Sequence, residues 1–293
     1  MPLPAMRTLA IGDITIDALV EWDGLRRPPH GLLRCGEAEG GAVLADCAPL
    51  FRHPSGDLII VYQSFVITTP HHVILVDSCC GADKGLPGPL DDPGGRWFAR
   101  FRALGLDPGR IDYVLCTRLH FDHVGWNTRL VGGRWVPTFP RARYVFHRGE
   151  YAHWLAAYEA AGKPGTGIEA AVGTSCLPVV EAGQALLVDD DFAIGDCVRL
   201  RPAPGHTPHH CCVEIESRGE RALLVGDLLH HELQVRRPDW STRFCWDPAL
   251  AATTRRRWLA DAADSGCWMV PTHFPPPTAV RVERADDAFR LRI

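Results

Sequence analysis

The sequence predicts a single α/β or α+β domain built on two sheets. Three observations carry that reading. Apolar runs of strand length recur through the chain, separated by turn residues. Two stretches with helical apolar spacing interrupt them. No low-complexity linker and no repeat of roughly 20–50 residues divides the 293 residues. At ~100–200 residues per domain the length alone would also allow two small domains.

The elements follow in order. Asp57–Asp77 reads as two strands, Leu58–Tyr62 and Val73–Val76, around the turn cluster Thr68-Thr-Pro-His-His. Ile111–Cys116 and Ala142–Phe146 are further buried strands. A helix is expected from about Arg148 to Ala161, with Tyr151, Trp154, Leu155 and Tyr158 at helical spacing. Gly162–Ser175 is Gly-rich and reads as a loop or lid. Val198–Pro202 is a strand broken by Gly205–Pro208. Cys211–Ile215 and Ala222–Val225 are strands joined by the polar turn Glu216–Arg221. Pro248–Ser265 is an amphipathic helix, with Asp247 as N-cap and Gly266 as its stop. Trp268–Val270 is a strand, ended by His273-Phe-Pro-Pro-Pro. Ala279–Ile293 reads as a terminal hairpin around Asp286-Asp287.

Composition excludes several function classes. Lys+Arg total 31 and Asp+Glu 35, so the net charge is -4 and no basic surface excess exists for duplex binding. Hydrophobic residues at 46% and charged residues at 23% describe a globular chain rather than a disordered one. No apolar run approaches the ~20 residues that cross a bilayer. Met1 to Ile14 lacks the pattern of a signal peptide. The 11 cysteines are dispersed, include the adjacent pairs Cys79–Cys80 and Cys211–Cys212, and form no C-x-x-C. They read as reduced, mostly buried thiols of a cytoplasmic protein.

Chemistry concentrates where polar residues follow apolar strands, the usual position of sites in α/β folds. The segment Cys116-Thr-Arg-Leu-His-Phe-Asp-His-Val-Gly places His120, Asp122 and His123 within four positions. Imidazole and carboxylate are ligands for zinc and related metals. Gly205-His-Thr-Pro-His-His, Val225-Gly-Asp227 and Pro271-Thr-His273-Phe each add one candidate ligand from a turn. A solvated loop in a His-rich protein is the alternative for any one of these segments.

Together the four segments resemble the metallo-β-lactamase fold superfamily, whose pattern is H-x-H-x-D-H, a His in G-H-T-P-G-H, an Asp after a strand and a late His. Ile74-Leu-Val-Asp77, Gly125-Trp-Asn127, Phe139-Pro-Arg-Ala-Arg-Tyr144, Gly226-Asp-Leu-Leu-His-His231 and His273-Phe-Pro-Pro-Pro277 match its lactonase and organophosphate-hydrolase-like branch. The match spans Ile11 to Arg284. It implies an α+β fold, a four-layer αβ/βα sandwich over a single domain 1–293. It also implies two metal sites. One is built from the two His of H-x-H and the G-H-T-P His. The other takes the Asp and last His of the motif plus the late His, and the Asp after the strand bridges both. Water activated by the metal attacks a carbonyl or phosphoryl centre.

One position departs from the pattern: the first His is Arg118, a permanent cation that does not ligate metals. The first site then retains only His120, His206 and a share of Asp227. The second keeps Asp122, His123, Asp227 and His273. A guanidinium near the first site repels a divalent ion by several kcal/mol, since two unit charges at 4 Å interact by ~4 kcal/mol at an effective dielectric of about 20. The expectation is therefore one Zn2+ per chain in the second site, with two ions or another divalent metal as alternatives. His120 and His206 would orient water or move a proton. Arg118 would hold a substrate carboxylate or oxyanion, or simply pair with Asp122 or Asp227.

The remaining candidates each have a bland alternative. Asp77 matches a carboxylate that orients the metal loop. His210 is expected to pack behind the ligands, and His209 stands where the family has Gly. His230 and His231 line the pocket or hold structure. His71-His72 is a solvated turn. Trp126, Trp154, Trp240 and Trp246 wall a pocket or pack in the core. Arg255-Arg-Arg257 is a solvated helix face. Cys116, Cys211 and Cys212 are soft ligands or buried thiols. The resulting expectation is a metallo-hydrolase acting on a lactone or carboxylic ester. The alternatives are attack on a β-lactam, organophosphate or activated aryl halide, and a non-hydrolytic metal-binding enzyme or ligand-binding scaffold. The partner is a small molecule, with no nucleic acid and no membrane, and the family analogy allows a homodimer.

Overall fold

The structure is a computed structural model and describes residues 8–92, 95–286 and 288–293. The N-terminal reading that began at Met1 and the turn position Asp287 lie partly or wholly outside those residues. Two compact units are present: a first comprising Thr8–Trp22 and Tyr62–Asp190, and a second comprising Asp23–Val61 and Asp191–Ile293. Mixed helix and strand in several sheets make the fold α+β.

The larger sheet contains β1 (Leu9–Ile11), β2 (Ile14–Arg27), β3 (Leu58–Thr68), β4 (Val73–Val76) and β5 (Tyr113–Leu115). A separate hairpin follows, β6 (Thr128–Val131) with β7 (Arg134–Pro137). Then β8 (Arg143–His147) and β9 (Ala185–Val188) complete the sheet in the order β1-β2-β3-β4-β5-β8-β9. β3 and β4 are antiparallel, whereas β4, β5, β8 and β9 run parallel. Parallel strands buried on both faces require near-continuous apolar runs. Val73-Ile-Leu-Val and Tyr144-Val-Phe supply them, and both are almost wholly buried. The first unit's core sets Trp97 between Phe101 and Trp126, with centroids 5.1 and 5.9 Å away.

The second unit carries a five-stranded sheet of β10 (Ala193–Ile194), β11 (Val198–Pro202), β12 (Cys211–Ser217), β13 (Glu220–Gly226) and β14 (Trp268–Pro271), in that order. Only β13 and β14 are parallel, and their register slips between Leu224 and Gly226, just before Asp227. The slip ends the ladder where a polar residue must turn out of it. The C-terminal hairpin joins β15 (Arg281–Ala285) and β16 (Ala288–Arg292). The helix Pro248–Ser265 follows its expected bounds. Asp247 Oδ1 accepts from the amides of Ala249 and Leu250 at 3.0 and 2.9 Å, and Gly266 closes it in the left-handed region at φ 67.

The structure corrects two expectations. Gly162–Ser175 is a loop only in its first half; Ile168–Ala170 is a 3-10 turn and Ala171–Ser175 a short helix. Ala170, Ala171 and Val172 are buried, and the Thr174 carbonyl accepts from Thr128 Oγ1 at 2.5 Å, so the segment is part of the core rather than a lid. Arg255 is 1% exposed rather than solvated. Its Nε donates to the Leu228 carbonyl at 2.8 Å and its Nη1 to that of Pro238 at 2.6 Å. Burial lowers its pKa to about 10, and the two carbonyls take the place of water around the charge. All eleven cysteines are thiols and nine of them are buried. No helix among the described residues is long and apolar enough to cross a membrane.

Candidate metal centre

In the first unit, β5 stops at Leu115 and the chain turns through Thr117–Val124. Asp77 stops it. Asp77 sits at the end of β4 with φ 56, a conformation few residues other than Gly adopt. Its Oδ1 accepts from the Thr117 amide at 2.8 Å and its Oδ2 from the Thr117 hydroxyl at 2.8 Å. The same Oδ2 lies 2.7 Å from His123 Nδ1. A carboxylate there keeps the proton on Nδ1, which leaves the ring's lone pair on Nε2, the nitrogen that lies 3.6 Å from Asp122 Oδ2. Carboxylate, imidazole and outward Nε2 are the arrangement that metal-binding histidines use. Asp77 thus orients His123, as the sequence leads one to expect.

Arg118 organises the rest of this segment. It is 2% exposed, and its Nη2 donates to Asp122 Oδ1 at 3.1 Å. Its Nε donates to His120 Nδ1 at 2.9 Å. That second bond decides the His120 tautomer. Nδ1 must carry the lone pair, so in the neutral ring the proton sits on Nε2 and that nitrogen is a donor. His120 therefore suits proton donation better than metal ligation. The Trp154 ring meets His120 edge-on, with centroids 4.9 Å apart, and the Trp154 indole donates to Glu150 Oε1 at 2.7 Å. Glu150 is buried and also accepts from the Leu119 amide at 3.4 Å, bracing the loop from behind. Gly125 closes the segment. A Cβ there would lie 1.9 Å from the Cys80 carbonyl oxygen, so only glycine lets the two backbones approach.

In the second unit, Asp227 leaves the end of β13 and is 1% exposed. Within this unit three imidazoles face it. His273 Nε2 lies 3.0 Å from Oδ1, while His206 Nε2 and His230 Nε2 lie 3.2 and 2.6 Å from Oδ2. The His230 ring stacks on His273 at 5.0 Å and 13°, and tilts against His206 at 5.1 Å. His273 and His206 are held by contacts on the far sides of their rings, and His230 through its backbone amide. His273 Nδ1 donates to the Val61 carbonyl at 2.8 Å. His206 Nδ1 meets the Cys245 thiol at 3.5 Å. The His230 amide donates to Gln234 Oε1 at 2.7 Å, and Gln234 donates in turn to the Trp240 carbonyl at 3.0 Å.

His210 and His231 do different work. His210 Nδ1 donates to the Ala203 carbonyl at 3.0 Å, and its Nε2 accepts from the Asp227 amide at 3.0 Å. With both nitrogens so engaged it is a neutral strut that fixes Asp227. His231 Nε2 donates to the Phe51 carbonyl at 2.7 Å, its Nδ1 accepts from the Leu233 amide, and burial lowers its pKa to about 4. Gly205 shapes the turn before His206. At φ 130 its Cα lies against Ala251, where a Cβ would come within 2.3 Å of the backbone nitrogen.

The ligand chemistry fits a divalent metal. Because His273 donates from Nδ1, its neutral ring aims a lone pair at a carboxylate oxygen 3.0 Å away. Two acceptors hold that distance only with a cation between them, either a proton or a metal ion. His206, Asp227 and His230 place one ligand atom each within 4.8 Å of one another, all three buried.

Arg118, His120, Asp122 and His123 come together in the first unit, and His206, Asp227 and His273 in the second. Trp154 stands beside His120, but Trp126 donates to Glu21 and Trp240 packs in the second core, so both are core residues. Trp246 is 56% exposed and His209 is exposed. The sequence reading did not single out Glu150, Cys245 or Gln234. Glu150 and Trp154, four apart on one helix, carry a signal for the first of these. Gln234 is likewise four residues from His230, a local signal, whereas Cys245 meets a partner distant in the chain.

Known proteins share this fold. Residues 61–265 match the family model described as metallo-beta-lactamase superfamily. A solved structure of a hydrolase in the beta lactamase superfamily, AbOPH, is similar with a TM-score of 0.82 and 22% identity, covering 99% of this chain and 98% of that one. AidC, a dizinc quorum-quenching lactonase solved with a product, follows at 0.78 and 19%, covering 100% and 98%. A probable metal-dependent hydrolase from Staphylococcus aureus gives 0.75 and 20%, covering 97% and 99%. A family match over residues 61–265, with like folds along nearly the whole length, places this chain in the metallo-β-lactamase superfamily.

Proposed function

We propose that the chain is a metal-dependent hydrolase that opens a lactone or cleaves a carboxylic ester. The observation that carries the reading is the His273–Asp227 contact, where a lone pair and a carboxylate oxygen face each other at 3.0 Å. Superfamily membership gives that contact its meaning, and the lactonase among the similar structures favours the substrate class. The ligand set follows the motif match: Asp122, His123, Asp227 and His273. Their imidazole and carboxylate donors suit Zn2+. A bound ion of this kind supplies an activated water and polarises the substrate carbonyl.

The chain's own groups do the rest. Asp77 and the Val61 carbonyl keep His123 and His273 in the tautomer that presents Nε2. His120, with its proton on Nε2, is the donor for the leaving oxygen, and Trp154 holds its ring from one side. Arg118 fixes both His120 and Asp122, so its first role is to position them. His206 is assigned to Asp227 Oδ2 rather than to proton transfer. The substrate is a small molecule, and a chain rich in buried thiols fits the reducing cytoplasm.

A panel assay on the zinc-loaded chain tests the proposal. It pairs an aliphatic lactone and an aryl ester with an aryl phosphotriester, a β-lactam and an activated aryl halide of similar size. Turnover of the lactone or ester that stops on chelation is expected. Turnover confined to one of the other three would overturn the substrate class. A zinc-loaded chain inert toward all five would sink the hydrolase reading.

A further inference from the structure

The motif match leaves one metal position short of ligands. Arg118 stands where its first His belongs, and His120 is turned into a donor by the Arg118 Nε bond. From the family pattern only His206 and a share of Asp227 survive there. The second unit supplies a replacement that the pattern does not contain. His230, three residues after Asp227, brings Nε2 to 2.6 Å from Asp227 Oδ2, the same oxygen that His206 Nε2 approaches at 3.2 Å. Asp227 thereby divides its oxygens: Oδ1 faces His273, and Oδ2 faces His206 and His230.

We propose that His230 is a metal ligand, and that His206, Asp227 and His230 hold a divalent ion of their own. This rests on the metallo-hydrolase reading above and changes its ion count from one to two per chain. The position of His230 is built rather than incidental. The residue is 5% exposed, its amide is held by Gln234, and Gln234 is itself fully buried and tied to the Trp240 carbonyl. Behind it Arg255, also buried, donates to the Leu228 carbonyl and holds the strand exit between Asp227 and His230. His206 is likewise constrained, with Nδ1 against the Cys245 thiol so that Nε2 turns to Asp227. Two nitrogens and one carboxylate oxygen leave a further position on a tetrahedral ion, as in sites that take up water or substrate.

Metal content of the full chain provides the test, read by plasma mass spectrometry and by calorimetric titration of the chelated protein with Zn2+. The unmodified chain is expected to hold about two ions, and His230→Ala about one. Affinity for the lost ion should fall by more than the ~10–100-fold that removal of a residue behind a ligand costs. His230→Asp guards against a folding artefact. A second carboxylate beside Asp227 repels it unless a cation lies between them, so a ligand role predicts recovery of the second ion. Co2+ loaded in place of zinc should show one fewer nitrogen-ligand signature in His230→Ala. If His230→Ala holds as many ions as the unmodified chain, the inference is wrong while the metallo-hydrolase reading stands. If the unmodified chain holds none, both fall.

Discussion

The loop that follows β5 and the turn that follows β13 face the same physical problem and solve it differently. Each must bury carboxylate and imidazole together. In the first, the charge on Asp122 meets a cation the chain carries permanently, the Arg118 guanidinium, at 3.1 Å. In the second, the groups of the same unit that face Asp227 are three imidazoles, and contacts on the far sides of His206 and His273 set which nitrogen those two point inward. The difference teaches where each region gets its order. The first is organised by a fixed charge. The second is organised by tautomers, and its nitrogens are presented to whatever cation sits beside Asp227.

The largest expected effect comes from taking the fixed charge away. Arg118→Met leaves Asp122 without its guanidinium, and losing one member of a buried pair costs about 3–5 kcal/mol. Chemical unfolding of the chelated chain should show that loss, with part of it restored by Zn2+. A variant as stable as the parent would mean that the guanidinium does not organise the loop. Next in size is His231, which keeps the second region neutral at its base. Its pKa is about 4 when folded against an ordinary 6.5, so between those values the unfolded chain binds more protons. Stability is therefore lost as pH falls from 6.5 toward 4, by on the order of 3 kcal/mol from this group. Comparing the parent with His231→Gln from pH 7.5 to 4 should show that slope flattened in the variant. An unchanged slope would assign the acid sensitivity to other groups.

Asp77→Asn probes the first region's tautomer control. The amide can no longer hold the proton on His123 Nδ1 as a carboxylate does, and metal affinity should drop ~10–100-fold. Titration with Zn2+ would detect it, and an unaltered affinity would remove Asp77 from the account. The smallest effect is expected at Asp247, whose carboxylate caps the helix against which Gly205 packs. Asp247→Ala should cost about 1 kcal/mol in thermal or denaturant unfolding, with ion content unchanged. Loss of an ion together with the cap would show that the helix start sets His206 directly.

Much of this was legible along the chain because it is local. The helix Pro248–Ser265 was readable from its Pro, its N-cap Asp and its terminal Gly, all of which act within a few residues. The ligand-bearing turns were readable because strand ends are where polar residues leave a sheet. The buried half of Gly162–Ser175 was not. Its glycines suggest freedom, but Thr128, far away in sequence, holds the Thr174 carbonyl. Arg255 was misread for the same reason. Three consecutive arginines look alike, and only the Leu228 and Pro238 carbonyls single out the one that is buried.

By itself the sequence determined the superfamily, the elements that carry the ligands and the substitution at Arg118, since motif spacing and strand-to-turn transitions are written in neighbouring residues. Only the tertiary structure decided which nitrogen each histidine presents, that Arg118 clasps His120 and Asp122, and that His230 shares an oxygen of Asp227 with His206. Those facts depend on partners such as Val61, Asp77 and Cys245. Their spacing from the histidines encodes nothing until folding closes the distance.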